Sequence, residues 1–170
     1  NSEFIKLSAI SSGVKDVREI IAKAEKIKKE NGEKPILFID EIHRFNKSQQ
    51  DIFLPYVENG TIILIGATTE NPSFEVNSAL LSRARVFVLN LLLPSEIEII
   101  LKNAITDKKR GLGDFKIDIK EEIIKFLANL SNGDARAALN ALELAVSISK
   151  IDKNGVIKID EEIIKEALQK

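Results

Sequence analysis

Hydrophobic and polar positions follow two patterns in the first half of the chain. Short apolar-rich or continuously apolar runs are typical of strands, and the continuous ones of strands covered on both faces of a parallel sheet. These runs lie at residues 3–8, 36–39, 61–67 and 86–92. Between the first two runs, apolar residues recur at helical spacing from Val14 until Gly32 ends the helix. A further helix is predicted at residues 47–58, with Pro55 as a kink.

The pattern changes after Pro94, where apolar residues keep helical spacing almost to the end of the chain. Asp118 and Asp134 are predicted to cap two of these helices, and a last helix is expected from about Asp160. We therefore predict an α/β sheet domain over residues 1–93 and a small helical domain over residues 94–170.

Composition mainly excludes possibilities. The chain has 170 residues, with 25 Lys and Arg against 26 Asp and Glu, so a net charge of −1 attracts it neither to nucleic acid nor to lipid. Because Cys is absent and His43 is the only histidine, disulfides, thiol nucleophiles and multi-His metal sites are excluded. No apolar run approaches the roughly 18 residues of a membrane span, so a cytoplasmic location is expected. Met is absent even at position 1, and we expect the chain to begin inside a longer protein.

Two adjacent carboxylates, Asp40 and Glu41, follow the apolar run at residues 36–39. Ligands of parallel sheets bind beyond the carboxyl ends of the strands. In a nucleotide hydrolase, the first carboxylate there holds Mg²⁺, usually through water, and the second orients and deprotonates the attacking water. Taken alone, the Asp40-Glu41 pair is explained equally well by a structural role, in which the two residues only cap the next helix.

Other polar residues fit both a chemical and a structural role. Thr68 and Thr69 end another apolar run, where a hydroxyl would position a water, although threonine is common at strand ends. Arg83 and Arg85, taken alone, are better explained as charged surface residues than as residues with a chemical role. His43 is interpreted as a hydrogen-bonded structural residue rather than a catalytic one.

Arg136 lies in the first turn of the helix that Asp134 is predicted to cap. A cation there opposes the helix dipole, and this unfavourable placement suggests that Arg136 has a ligand or an ionic partner.

The order of these pieces is more specific than any one of them. A strand followed by Asp-Glu, a strand followed by Ala-Thr-Thr, a Ser-Arg pair and a late Gly-Asp-x-Arg together resemble the AAA+ ATPases. The runs DEIHRFNK (residues 40–47), GATTENPSF (66–74) and LLSRAR (80–85) resemble the replication-associated recombination protein A family and its eukaryotic relatives, the Werner-helicase-interacting ATPases. The resemblance covers nearly the whole chain.

The resemblance implies roles at the two strand ends. Asp40 and Glu41 take the Walker B positions, Asp40 for Mg²⁺ and Glu41 for the water and the nucleotide. Thr69 takes the sensor-1 position next to the nucleotide, with Thr68 as the alternative.

It also implies roles for three arginines. Arg83 takes the position of the arginine finger, which reaches the γ-phosphate bound by a neighbouring subunit, and Arg85 is a second candidate. Arg136 takes the sensor-2 position in the lid and touches the nucleotide of its own subunit.

The sequence departs from the family at the phosphate-binding loop. The family begins its nucleotide site with the P-loop G-x-x-x-x-G-K-[ST], whereas none of the eight glycines here precedes Lys-Ser or Lys-Thr. The implied fold is a partial AAA+ parallel-sheet ATPase domain without the P-loop strand, over residues 1–93, and a small all-α lid over residues 94–170. We expect this chain alone to be inactive and to bind neither ATP nor Mg²⁺.

For the full-length protein, the resemblance implies ATP hydrolysis with Mg²⁺ at the subunit interfaces of a homo-oligomer. The implied partners are DNA, single-stranded or forked, and single-strand DNA-binding protein, in replication-fork maintenance, recombination and repair; no membrane is expected.

Several alternatives stay open. The alternatives to a fork-maintenance ATPase are a Holliday-junction branch-migration motor, a clamp-loader-type ATPase subunit and a non-catalytic adaptor derived from this fold. A metal-dependent hydrolase of another family is disfavoured, because few other carboxylates follow strands and there is no His cluster.

Overall fold

The computed structural model of the chain describes residues 2–169, so Asn1 and Lys170, which begin and end the two predicted domains, lie outside the described residues. The chain divides into two compact units, one up to Phe87 and one from Val88 onward. The hydrophobic pattern places the division between residues 93 and 94. The two units are described separately.

The first unit combines a parallel sheet with one long helix and several short ones. Its strands are β1 (Phe4–Ser8), β2 (Ile36–Asp40) and β3 (Ile63–Gly66). Its helices are α1 (Val14–Asn31), α2 (Lys47–Asp51), α3 (Leu54–Glu58), α4 (Pro72–Glu75) and α5 (Ser78–Leu81). A 3₁₀ turn, Ile42–Arg44, follows β2.

The strands lie in the order β1-β2-β3, all parallel. In the register, Phe4 pairs with Ile36 and Ser8 with Asp40, while Ile36 pairs on its other side with Ile63. The predicted parallel sheet is therefore confirmed, and Asp40 lies at the carboxyl end of the central strand.

The core of the first unit joins this sheet to α1. Leu37 and Ile39 of β2 are fully buried, and Val17 and Ile21 enter the same cluster from one face of α1. Gly32 ends α1 with a left-handed backbone, φ 68°, a conformation that glycine adopts without a steric penalty.

The helix predicted at residues 47–58 is interrupted. The structure has α2 and α3 instead, with Ile52 and Phe53 between them. Pro55 lies in the first turn of α3, where its missing N–H removes no helical hydrogen bond. The proline thus begins a new helix rather than bending a continuous one.

The strand predicted at residues 86–92 is wrong. Residues 85–93 form no strand pairing with any described residue, and most of their large apolar side chains are exposed, Leu89 to 91%, whereas Leu92 packs partly buried against the core of the second unit. A strand forms only where a partner satisfies its amide and carbonyl groups, and an apolar pattern does not report whether that partner is present.

The second unit is mainly helical. Its helices are α6 (Pro94–Thr106), α7 (Glu121–Leu130), α8 (Ala135–Ile148) and α9 (Glu161–Gln169). Two short strands, β4 (Lys116–Ile119) and β5 (Val156–Ile159), form a separate parallel sheet. The predicted helical character is confirmed, and the small sheet is an addition that the sequence pattern did not indicate.

The two predicted helix caps of this unit have different outcomes. Oδ1 of Asp134 accepts the amides of Arg136 (2.8 Å) and Ala137 (3.1 Å), so it caps α8 as predicted. Asp118 lies inside β4 instead, and Lys120 occupies the N-cap position of α7. Among residues 2–169, no helix has the length and apolarity needed to span a membrane.

Candidate functional site

Backbone hydrogen bonds bring the ends of β2 and β3 together. The amide of Ala67 donates to the carbonyl of Ile39 (2.8 Å), and the amide of Ile42 donates back to the carbonyl of Ala67 (3.0 Å). Asp40 and Glu41 therefore lie beside the residues that follow β3. The Asp-Glu and Thr-Thr pairs of the sequence meet at one edge of the sheet.

The backbone of Glu41 is left-handed, with φ 53° and ψ 49°. For a residue with a Cβ this conformation costs about 1–2 kcal/mol. It is held by the amide of Arg44, which donates to the carbonyl of Glu41 (2.8 Å), and by the burial of Ile42 next to it. Backbone outliers of this kind concentrate at functional sites.

Glu41, His43, Thr68 and Thr69 form a connected group, here called the Glu41 cluster. Nδ1 of His43 lies 2.8 Å from Oγ1 of Thr68 and 3.1 Å from Oε2 of Glu41. Oγ1 of Thr69 lies 3.5 Å from the same carboxylate oxygen, which is long for a hydrogen bond. Thr69 thus meets Glu41 directly, and Thr68 is linked to it through His43.

Asp40 is half-buried at the end of β2. Among residues 2–169, no group of three or more His, Asp and Glu side chains is arranged to hold a metal ion by itself. Mg²⁺, however, usually binds proteins through one or two carboxylates and takes its other ligands from phosphates and waters. Asp40 with Glu41 beside it fits that donor set.

Gly66 allows the close packing behind the cluster. A Cβ on Gly66 would approach Cδ1 and Cγ2 of Ile42 at 3.1 and 3.2 Å. The absence of a side chain therefore lets Ile42 enter the core directly after Glu41.

Gln50 of α2 holds the segment that leads from the cluster to Arg83. It is fully buried, and its Nε2 donates to the carbonyls of Phe45 (2.9 Å) and Glu75 (3.1 Å). Its Oε1 accepts the amide of Asn77 (2.7 Å). A single buried amide thus fixes α4 and the start of α5 against α2.

Arg83 follows α5 and is fixed by three contacts. Nη2 lies 2.7 Å from Oε1 of Glu58, and Nη1 donates to the carbonyl of Ala79 (2.8 Å) and to Oγ of Ser82 (3.0 Å). The Arg83 side chain is still 43% exposed. Arg85 is exposed, and in the described part of the chain no hydrogen bond or ion pair joins either arginine to the Glu41 cluster.

Arg136 belongs to the second unit, at the N-terminus of α8. Its side chain is exposed. Its amide is one of the two that Asp134 caps, so its place in the first turn of α8 agrees with the sequence pattern.

Two partners in this region were not found by sequence reasoning. His43 is interpreted from the sequence as a hydrogen-bonded structural residue, but its partners Glu41 and Thr68 are not indicated there. Its spacing of two residues from Glu41 is the one local signal. Glu58 has no such signal, because it is remote in sequence from Arg83, which it pairs with.

Both parts of the chain match known families. Residues 1–91 match the family described as "ATPase family associated with various cellular activities (AAA)". Residues 113–170 match the family described as "AAA C-terminal domain".

Several curated proteins resemble nearly the whole chain. The chain is 54% identical to Replication-associated recombination protein A of Haemophilus influenzae over 168 residues. This alignment covers 99% of this chain and 37% of that protein. The chain is 50% identical over 166 residues to the protein of that name in Escherichia coli, covering 98% and 37%. To ATPase WRNIP1 of Dictyostelium discoideum it is 48% identical over 155 residues, covering 91% and 18%. The chain thus spans 37% of the length of these bacterial relatives.

Among solved structures, the RuvB Holliday junction branch migration motor of Thermotoga maritima has a similar fold. The TM-score is 0.72 and the identity 24%, over 98% of this chain and 52% of that one. At this identity the likeness supports the fold alone.

Proposed function

The chain belongs to the ATPase family associated with various cellular activities. We propose that it forms part of an ATPase that acts in replication-associated recombination, and that it contributes the lid and the strand ends whose side chains take part in ATP hydrolysis. The similarity to proteins of the replication-associated recombination protein A group supports the biological setting. The Glu41 cluster carries the chemical part of the proposal, because it places a carboxylate and two hydroxyls at the ends of adjacent parallel strands.

Glu41 is the general base of the proposed reaction. Its carboxylate accepts the proton of the attacking water while the side chain is held by its neighbours in the cluster. Asp40, one residue earlier, would hold Mg²⁺, which when bound neutralises charge on the phosphates of ATP. Thr69, or Thr68 in its place, orients the water or the terminal phosphate through its hydroxyl.

Arginines complete the proposed site. Arg83 reaches the nucleotide of a neighbouring subunit in a homo-oligomer, with Arg85 as the second candidate for that role. Arg136 of the lid touches the nucleotide of its own subunit. The negative charge of the transferred phosphate is the common target of such guanidinium groups.

DNA is the proposed macromolecular partner of the full-length protein. Because this chain has a net charge of −1, the proposed DNA contacts would come from a local group of basic residues in the assembled oligomer rather than from the overall charge of the chain. A cytoplasmic location and binding to single-strand DNA-binding protein belong to the same proposal.

The test is Glu41→Gln in the full-length protein. Glutamine cannot take the proton of the water, whereas Asp40 is unchanged, so ATP binding should persist and turnover should fall by about 10²–10⁴-fold. Glu25→Gln, an exposed change on α1, is the matched control and should leave both unchanged. Nucleotide affinity and phosphate release are measured side by side, and unchanged turnover in Glu41→Gln would remove Glu41 from the mechanism.

A further inference from the structure

His43 lies between the proposed base and the end of β3. Its Nδ1 is 3.1 Å from Oε2 of Glu41 and 2.8 Å from Oγ1 of Thr68, and its side chain is only 12% exposed. A single nitrogen atom therefore makes both contacts.

Which of these groups can donate a hydrogen bond, and which can only accept one, decides whether Nδ1 carries a proton. An ionised carboxylate only accepts hydrogen bonds, so Nδ1 must carry the proton for its contact with Glu41 to be favourable. Oγ1 of Thr68 already accepts the amide of Glu70 (3.0 Å), which leaves it a second lone pair for the same Nδ1–H. One N–H is thus shared between Glu41 and Thr68.

We propose that His43 is a positioning residue, which holds the Glu41 carboxylate through Nδ1–H and couples it to the position of Thr68. The inference rests on the proposed function of Glu41 as the base. Because both acceptors share one proton, a stronger contact with Thr68 weakens the hold on Glu41, and a weaker one strengthens it.

The backbone around His43 is suited to this role. His43 is the middle residue of the 3₁₀ turn Ile42–Arg44, which the amide of Phe45 closes on the carbonyl of Ile42 (3.1 Å). Ile42 and Phe45 are both buried, so the turn is anchored on each side of His43. The imidazole is carried by a rigid support, and Thr68 is the first residue after the pairing of Ala67 with β2. Movement at the end of β3 is therefore transmitted to Glu41 through His43.

The experiment compares three substitutions of His43 in the full-length protein. Asparagine places an amide nitrogen on Cγ where histidine has Nδ1, glutamine places its amide near the Nε2 position, and phenylalanine has no donor. Misplacing the base should lower kcat by about 10–100-fold in His43→Phe and His43→Gln, with KM for ATP changed by no more than about two-fold. His43→Asn should recover most of the lost turnover.

The coupling to Thr68 is tested separately. Thr68→Val should change kcat less in the His43→Phe background than in the parent protein, because the link is already broken there. Thr106→Val, which removes an exposed hydroxyl from α6, is the control and should change kcat in neither background.

The outcomes separate this inference from the proposed function. Equal kcat in His43→Asn and His43→Phe would overturn the inference, and so would independent, multiplicative effects of His43→Phe and Thr68→Val. If Glu41→Gln loses turnover while all His43 variants keep it, only the inference fails. If Glu41→Gln keeps turnover, the proposed function fails first. Should His43→Phe fail to fold, the Asn and Gln variants still give the decisive comparison, since both are polar.

Discussion

At the scale of single residues, the region around Glu41 depends on one strained backbone and one close approach. Glu41 has a positive φ of 53°, and Gly66 leaves room for the Ile42 side chain directly behind it. The backbone of Gly66 itself is not in the left-handed region, so the space at this position, rather than its conformation, requires glycine.

Gly66→Ala should therefore destabilise the protein by about 1 kcal/mol. The new methyl group lies 3.1 Å from Cδ1 of Ile42, which must shift within a packed core. This cost outweighs the stabilisation that alanine gives by reducing the entropy of the unfolded chain. Urea unfolding of the full-length protein measures the change. Ile42→Val removes Cδ1 and with it part of the clash. The double variant should therefore lose less unfolding free energy than the two single variants lose together, and strict additivity would contradict the proposed clash.

At the scale of elements, turns of the second unit are stabilised by carboxylates that accept backbone amides. Oδ1 of Asp152 accepts the amides of Val156 and Asn154, both at 2.8 Å, just before β5. These two bonds, that of Val156 first, lower the pKa of the Asp152 carboxyl below its ordinary value of 3.8.

The lowered pKa of Asp152 predicts an acid-sensitive turn. A depressed pKa means that the contribution to stability is complete above the ordinary value of 3.8 and is lost as the pH falls through the lower value of the folded state. Amide hydrogen exchange of Asn154 and Val156 should therefore lose protection only in strong acid. In Asp152→Asn, whose side chain does not titrate, this acid-dependent loss should vanish; the same loss in both proteins would assign it to another group.

At the scale of the whole molecule, Arg83 is the residue with which the proposed oligomer is tested. In the single chain its guanidinium pairs with Glu58, an ion pair between partly exposed groups, 43% and 45%. Exposed ion pairs of this kind contribute only about 0–1 kcal/mol, so little free energy would oppose the exchange of Glu58 for a phosphate of a neighbouring subunit in the proposed oligomer.

Arg83→Ala should abolish hydrolysis in the full-length protein while each subunit still binds ATP. An arginine finger contributes about 10³–10⁵ to kcat in GTPases, and the same order is expected here. Mixed oligomers of Arg83→Ala and Glu41→Gln subunits should regain activity, because some interfaces then combine an intact arginine with an intact base. Arg85→Ala is the comparison variant, and the absence of recovery at every mixing ratio would contradict a site shared between subunits.

The 170-residue chain by itself should not bind ATP. Its sequence lacks the backbone N–H cradle and lysine of a G-x-x-x-x-G-K-[ST] loop, so Asp40 and Glu41 would face the phosphates without a compensating charge. Titration with a fluorescent ATP analogue and Mg²⁺ measures binding. Saturable binding at micromolar concentration would show that the chain forms a phosphate site of another kind.

The order and type of most elements follow from the sequence because their signals are local. The apolar run at residues 36–39 forms all of β2 except its last residue, and the run at residues 61–67 contains β3. The helical spacing from Val14 to Gly32 matches α1. The strands β4 and β5 escape prediction because each has only four residues, too few for its hydrophobic pattern to be distinguished from that of a helix end. The strand expected at residues 86–92 fails for the opposite reason, since its apolar pattern is clear but no residue among 2–169 pairs with it as a strand.

The sequence by itself determined which residues stand at the strand ends: Asp40 and Glu41 after one apolar run, Thr68 and Thr69 after another. Only the tertiary structure decided that His43 joins Glu41 to Thr68 and that Glu58 holds Arg83. The reason is physical. Apolar periodicity and caps act between neighbours in the chain, whereas a hydrogen bond between residues 25 positions apart exists only once the parallel strands have paired in register.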